Sequence, residues 1–238
     1  NKNRLEKLAT SQVYYDAKVT DILADYCVRN TPGMPLGSFY GYKTGGVDTE
    51  TGELIYLDTN DDGEVTANDR TYMGDPNPDF TFGMTNTFQF YGVTISFLLQ
   101  GSYGNDIFNA SRIETEGMYD AKNQSIRVLD RWRRPGMVTS IPKAGFDMKV
   151  SDYFVEDGSY IRLKDLTIGY EFSGNWMKKI GMTRLQPYFS AQNLFTLTKY
   201  LGMDPEVNQY GNSGTVQGLD YGTYPQTRSF VLGVNIAF

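Results

Sequence analysis

The chain has 238 residues, with 28 acidic against 22 basic side chains and a net charge of −6, and it carries no basic stripe of the kind that nucleic acid requires. Histidine is absent and Cys27 is the only cysteine, which excludes Ser-His-Asp and Cys-His catalysis, histidine-containing zinc sites and an intrachain disulfide. Mean hydropathy is −0.43 and no apolar run reaches about eighteen residues, so no helix can span a membrane, whereas 25 glycines and 14% aromatics suit an all-β protein, soluble or membrane-embedded.

The chain starts at Asn1-Lys2-Asn3-Arg4-Leu5 without the apolar core of a leader, and is expected to be a fragment of a longer protein. Residues 1–30 support two readings. Val13, Tyr15, Ala17 and Val19 alternate as in a strand, while Val19, Ile22, Leu23 and Tyr26 follow helical spacing. One further strand is expected to end near Leu8. The single thiol of Cys27 reads as a small buried side chain. From Met34 onward the chain is rich in glycine and aromatics, with breakers at Pro32, Gly33 and Pro35.

Residues 58–69 read D-x-N-x-D-G-x-V-x-x-x-D. Asp58, Asn60 and Asp62 supply oxygens at positions one, three and five of a calcium loop, and Gly63 permits the turn. Glu64 would lend its backbone carbonyl, and Asp69 stands where the twelfth position usually has Glu. The expectation is one structural calcium ion held by Asp58, Asn60, Asp62, Glu64 and Asp69. A plain acidic turn is the competing reading.

Gly74 to Asp79 then punctuates the entry to a long alternating stretch. Phe80, Phe82, Met84, Phe88 and Phe90 share one parity, and Thr81, Gly83, Thr85, Thr87 and Gln89 the other. After Tyr91-Gly92 the pattern resumes, with Val93, Ile95, Phe97 and Leu99 against Thr94, Ser96 and Gln100. Successive strand side chains point to opposite faces, so each run has an apolar face and a small polar one. Each run is about ten residues long, the length a tilted strand needs to cross a bilayer.

Residues 104–158 lack strand periodicity and contain Asp130-Arg131-Trp132-Arg133-Arg134-Pro135. Three arginines beside a tryptophan could grip an anionic or sugar ligand; a solvated or salt-bridged loop is the favoured reading. Leu166, Ile168, Tyr170 and Phe172 mark the next strand, followed by Leu185, Phe189, Ala191, Phe195 and Leu197. The loop at 199–225 precedes a final strand in which Phe230, Leu232, Val234, Ile236 and Phe238 share a parity. Alternation that runs to a terminal Phe238 is expected to serve barrel assembly.

Short links thus alternate with long loops, as in membrane barrels. The expected strands are 80–90, 92–103, 160–172, 184–198 and 228–238, with Phe82, Phe97, Ile168 and Leu232 outward and Thr85, Ser96, Gln192 and Asn235 inward. With the C-terminus in the periplasm, the long loops and the acidic loop lie outside the cell, where calcium is millimolar.

Several segments, in this order, carry a resemblance to a known family. They are PLGSFYGYKTGG (35–46), YLDTNDDGEVTANDRTYMGDPNPDFTFG (56–83), QGSYGNDIFNASR (100–112), DYFVEDGSYIRLKDLTIGYEF (152–172), LQPYFSAQNLFTLTKYLGMDPEV (185–207) and YPQTRSFVLGVNIAF (224–238). The chain resembles the C-terminal part of SusC/RagA-type TonB-linked outer-membrane transporters of Bacteroidetes. The resemblance implies a twenty-two-stranded barrel with a lumenal plug that this chain lacks. It also implies import of oligosaccharides or peptides, energised through the TonB complex, beneath a SusD-like surface lipoprotein acting as a lid. Residues 1–238 would then be one barrel portion, with the calcium-type loop at 56–72 within it and no enzymatic activity. The alternatives are a secreted calcium-binding β-domain acting as an adhesin or glycan-binding module, and a passive porin.

Overall fold

The computed structural model describes every residue except 10–12, 20–22, 24, 208 and 212. The expected helical spacing through Ile22 falls partly outside the described residues. The first strands are β1 (Tyr14–Lys18), β2 (Tyr26–Asn30), β3 (Phe39–Gly41), β4 (Thr44–Val47), β5 (Leu54–Tyr56) and β6 (Thr71–Gly74). Two long strands follow, β7 (Phe80–Phe90) and β8 (Val93–Tyr103), then β9 (Asp106–Asn109) and the short helix α1 (Ser111–Glu116). Next come β10 (Val155–Asp157), β11 (Tyr160–Tyr170), helix α2 (Asn175–Lys179) and β12 (Arg184–Thr198). The chain ends with β13 (Leu219–Asp220) and β14 (Ser229–Ala237).

These elements form two compact units. One comprises Phe80–Tyr103, Ser159–Lys199 and Pro225–Phe238. It is a single antiparallel sheet in the order β7-β8-β11-β12-β14, each strand beside its predecessor in the sheet. The sheet does not close on itself. Its tightest connection is Tyr91-Gly92, where φ is 46° and 83°. Positive φ at both central residues is the twist-matched geometry of a two-residue hairpin, and Gly92 supplies it without strain. A longer link, residues 171–183, joins β11 to β12 at the same end. At the opposite end, marked by the pairs Phe80–Tyr103, Tyr160–Ser102 and Tyr160–Thr198, the chain enters and leaves for its long segments.

The strands match the expected ones within two residues at each end. The sixth, ending near Leu8, is corrected: residues 1–8 form no strand. The backbone groups of Leu5 are already used, its N–H donating to the Met34 carbonyl and its carbonyl accepting from Gly33.

The second unit comprises Asn1–Asp79, Gly104–Gly158 and Tyr200–Tyr224. It is built from short pieces: the sheet β1-β2-β3-β6, the three-stranded β10-β9-β13 and the hairpin β4-β5. Its core draws on all three segments, with Val28 and Phe39 from the first, Phe108, Ile113, Phe146 and Phe154 from the second, and Val216 and Leu219 from the third. Phe108 is central, its ring 5.9 Å from Phe39 and 6.0 Å from Phe154. Cys27 lies fully buried in this core, as the sequence predicts, and burial pushes its thiol pKa up.

Candidate functional site

Two regions have functional geometry, the faces of the long sheet and the acidic loop at 58–69. In an antiparallel ladder, directly opposed residues share a face. Phe88, Ile95, Ile168, Phe189 and Leu232 form one apolar row across all five strands, and Phe97, Leu166, Ala191 and Phe230 lie in the next. The row of residues between these two belongs to the other face. There Thr87, Ser96, Thr167 and Ser190 line up as a hydroxyl ladder, with Thr87 and Ser96 oxygens 3.0 Å apart and the Thr167 hydroxyl donating to Ser190 at 3.1 Å. The register thus places Phe82, Phe97, Ile168 and Leu232 together, and Thr85, Ser96, Gln192 and Asn235 together on the opposite face.

One feature of the sheet was not legible in the sequence. Ile161 and Leu163 have the opposite parity to Leu166 and Ile168, yet all four lie on the apolar face. Lys164 is an extra residue between the pairs Leu163–Leu99 and Asp165–Leu98, a bulge that moves the alternation by one. Opposite it, β12 accommodates residues 193 and 194, with Asn193 at φ 51° and its Nδ2 donating to the Thr227 carbonyl at 2.9 Å. Asparagine tolerates this left-handed conformation better than most residues.

The apolar face is uncovered. Phe80, Phe82, Phe88, Phe90, Phe195, Phe230, Val234 and Ile236 are exposed, and Leu232 is 84% exposed. A continuous apolar sheet face far exceeds the patch of roughly a few hundred Å² usual on soluble monomers. Ten residue steps along β7 extend about 33 Å, which at a tilt of roughly 40° covers about 25 Å, the height of a barrel's apolar band. Aromatic side chains mark both margins: Phe80 stacks on Tyr103 at 5.3 Å at one end, and Tyr170, Phe172 and Trp176 pack edge to face at the other. Phe172 and Trp176 lie in the turn region just past β11. Aromatic girdles flank the apolar band of membrane barrels in this way.

In the acidic loop, the side-chain oxygens face the loop's own N–H groups. Asp58 Oδ2 accepts from Gly63 at 2.7 Å, Asn60 Oδ1 from Asp62 at 2.9 Å, and Asp62 Oδ1 from Glu64 at 3.0 Å. Asp69 is buried and closes the loop, with Oδ1 accepting from Thr59 at 2.8 Å and Asn60 at 3.3 Å, and Oδ2 from Thr66 at 2.7 Å. Thr66 caps the short 3-10 turn Ala67–Asp69 in return, which makes a capping box. The N–H of Thr66 is the main cause holding the Asp69 carboxyl below the usual carboxylate pKa; Thr59, Asn60 and Asp58 add to it. Among the described residues no group of three acidic or cysteine side chains converges in a metal-binding arrangement. Asp58, Asn60 and Asp62 nevertheless retain lone pairs on a short, ordered loop.

The arginine-tryptophan segment is a packed loop. Trp132 Nε1 donates to the Thr49 carbonyl at 2.8 Å and its ring lies against Gly52, where a Cβ would clash. Arg131 and Arg133 donate to the Val128 and Leu129 carbonyls at 3.2 and 2.6 Å.

Sequence reasoning missed a buried ionic cluster nearby. Arg112 donates to Glu116 at 3.0 Å and, through one amino group, to Glu156 at 3.1 Å and the Tyr153 carbonyl at 2.6 Å, while Arg127 pairs with Glu116 at 2.8 Å. The i,i+4 spacing of Arg112 and Glu116 on α1 was the available signal.

Five long strands, apolar on one face and on the other lined by small and polar residues, with the hydroxyl ladder across four of them, define a portion of a membrane β-barrel wall. No family model matches the chain. TonB-dependent receptor P3 of Formosa agariphila is 32% identical over 259 residues, an alignment covering the whole chain and 26% of that receptor. TonB-dependent receptor SusC of Bacteroides thetaiotaomicron is 28% identical over 218 residues, covering 87% of the chain and 20% of SusC. A solved structure of the RagAB peptide transporter superposes with a TM-score of 0.79 at 22% identity, covering 98% of the chain and 25% of that chain, which shows a shared fold. The chain belongs to the SusC/RagA-type TonB-dependent receptors, and spans about a quarter of the length of the curated relatives it matches. These are outer-membrane proteins, and the relatives are receptors and transporters rather than enzymes.

Proposed function

We propose that the chain is part of an outer-membrane importer of large nutrients, oligosaccharides or peptides, energised through TonB and working with a SusD-like surface lipoprotein. The observation that carries this reading is the five-strand sheet, with its uncovered apolar face and every long segment joined at one end. The kinship with SusC and the fold shared with the RagAB peptide transporter support it. The apolar rows meet lipid and the hydroxyl ladder meets the lumen. Long segments lie outside the cell, and Tyr91-Gly92 and residues 171–183 in the periplasm. Residues 1–238 form one barrel portion, and the plug and the TonB-contacting segment belong to the rest of the protein. The test is uptake by cells lacking the full-length receptor. Loss of growth on one nutrient class, restored only when TonB is functional, is expected; unchanged uptake of both classes would contradict it.

Calcium fits this reading as a structural ion on the extracellular side, held by Asp58, Asn60, Asp62 and the Glu64 carbonyl, with Asp69 as the fifth candidate. The loop's hydrogen bonds pre-order the first three side chains, and a cation would relieve repulsion among the carboxylates. Asp69 already accepts three N–H groups, so its part is to close the loop as much as to coordinate. Calorimetric titration of the full-length receptor with calcium should show one site lost in Asp58→Asn/Asp62→Asn; absence of binding at millimolar calcium returns the loop to a plain acidic turn.

A further inference from the structure

In the long sheet, the link from β11 to β12 departs from the acidic balance of the chain. Residues 173–183 hold Lys178 and Lys179 and no acidic side chain, against a net charge of −6 overall. Both lysines are exposed. Glu171, just before them, pairs with Arg184 at 3.7 Å, and among the described residues no carboxylate pairs with either lysine.

The fold of the link holds apolar side chains beside those charges. Helix α2 stops at Gly181, whose φ is 74°. The Gly181 N–H donates to the Lys178 carbonyl at 3.2 Å and the Met182 N–H to the Met177 carbonyl at 3.0 Å, the Schellman pairing that a glycine in the left-handed region permits. This closure fixes which side of the turn faces in. Met177 is 4% exposed, whereas Trp176 and Ile180, four residues apart and therefore neighbours on one side, are 45% and 54% exposed. The Trp176 ring is held in place all the same. It folds over Gly174, where a Cβ would come within 2.9 Å of its Cδ1, and meets Phe172 edge to face at 6.1 Å. Phe172 meets Tyr170 at 4.8 Å, and Tyr170 stands two residues past Ile168 on the apolar face.

The apolar face of the sheet thus continues into the link and ends beside two lysines. That continuity names the occupant, because the lipid that covers Ile168 and Tyr170 also reaches Trp176. Indole rings sit at the headgroup level of a membrane, apolar body inward and N–H toward the polar layer. Lysine stems lie along apolar surface while their ammonium groups reach outward. Basic side chains beside such an anchor favour anionic lipid.

We infer that the link 171–183 binds an anionic phospholipid, with Trp176 and Ile180 against its glycerol and acyl chains and Lys178 and Lys179 at its phosphate. The inference rests on the import reading for its side of the membrane. At the periplasmic rim the lipid is a diacyl phospholipid; at the outer surface it would be lipid A.

The test uses the full-length receptor in phosphatidylcholine bilayers, with a bimane label at Asn175→Cys. Brominated phosphatidylglycerol, brominated phosphatidylcholine and brominated lipid A are each added as a minor component, and the quenching gives their relative binding at the link. Phosphatidylglycerol should be preferred over phosphatidylcholine by about thirtyfold at low salt, about fivefold for each lysine. Lys178→Gln/Lys179→Gln should abolish the preference, Lys178→Arg/Lys179→Arg should keep it, and high salt should weaken it. Equal quenching by the first two lipids, quenching by neither because a protein covers the link, or a preference that survives the double glutamine variant would overturn the site. Preference for lipid A over phosphatidylglycerol would overturn it together with the sidedness of the import reading. Phosphatidylglycerol held at the link of a receptor whose deletion leaves uptake unchanged would instead sink the import reading and leave the lipid site standing.

Discussion

The two units solve the same problem of placing apolar side chains in opposite ways. The unit around Phe108 hides them in a core assembled from three distant segments, whereas the long sheet shows them on one face from Phe80 to Ile236. Two open sheet faces in water would leave the second arrangement without a driving force, so its stability depends on the solvent being lipid. Hydrophobic burial serves one unit, and satisfied backbone pairing within lipid the other.

Substitutions separate the two most sharply. Phe108→Ala removes the ring at the centre of the packed unit and should cost about 3–5 kcal/mol. Hydrogen exchange should locate that loss in the short-strand unit and leave β7 to β14 protected; equal loss in both would break the distinction. Phe97→Arg, at mid-height on the apolar face, should cost about 2–4 kcal/mol in a bilayer. Ser96→Arg, one residue away on the hydroxyl-lined face, should cost little, as read from urea unfolding in lipid vesicles. Equal costs at 96 and 97 would contradict the assignment of faces.

This contrast also explains what could be read from the sequence. A strand with one face in lipid and the other in water alternates at period two, so all five long strands and both faces were legible from residues such as Phe82, Thr85, Ile95 and Ser96. The Lys164 bulge was hidden, because inserting one residue leaves the local alternation on each side intact. The packed unit has strands of two to five residues, most too short to show a period; β1 showed as the alternation of Val13 to Val19, which competed with a helical spacing, and the core meets across segments more than a hundred residues apart. The acidic loop was visible as a spacing of side chains. The three N–H groups that Asp69 accepts were not, because a spacing does not say whether a carboxylate turns to a cation or to its own backbone.

A smaller effect tests that loop. Asp69 is held below the usual carboxylate pKa by its backbone donors. A depressed carboxyl stabilises the folded loop above about pH 4 and loses that contribution as pH falls through its folded value. The protection of the Thr59, Asn60 and Thr66 amides, relative to their intrinsic exchange rates, should therefore fall below about pH 4, before the long sheet loosens, and Asp69→Asn should abolish most of this pH dependence. Amides that stay equally protected across that range would show that the carboxylate does not hold the loop.

The most direct measurement concerns the sheet faces. In the full-length receptor reconstituted in bilayers, single variants Phe82→Cys, Phe97→Cys, Ile168→Cys and Leu232→Cys would each carry a bimane label, as would Thr85→Cys, Ser96→Cys, Gln192→Cys and Asn235→Cys. Quenching by brominated lipid should be strong for the first four and weak for the second four, with aqueous iodide giving the reverse. Labels on both faces quenched alike by lipid, or the two sets exchanged, would contradict a barrel wall with its apolar rows in the membrane.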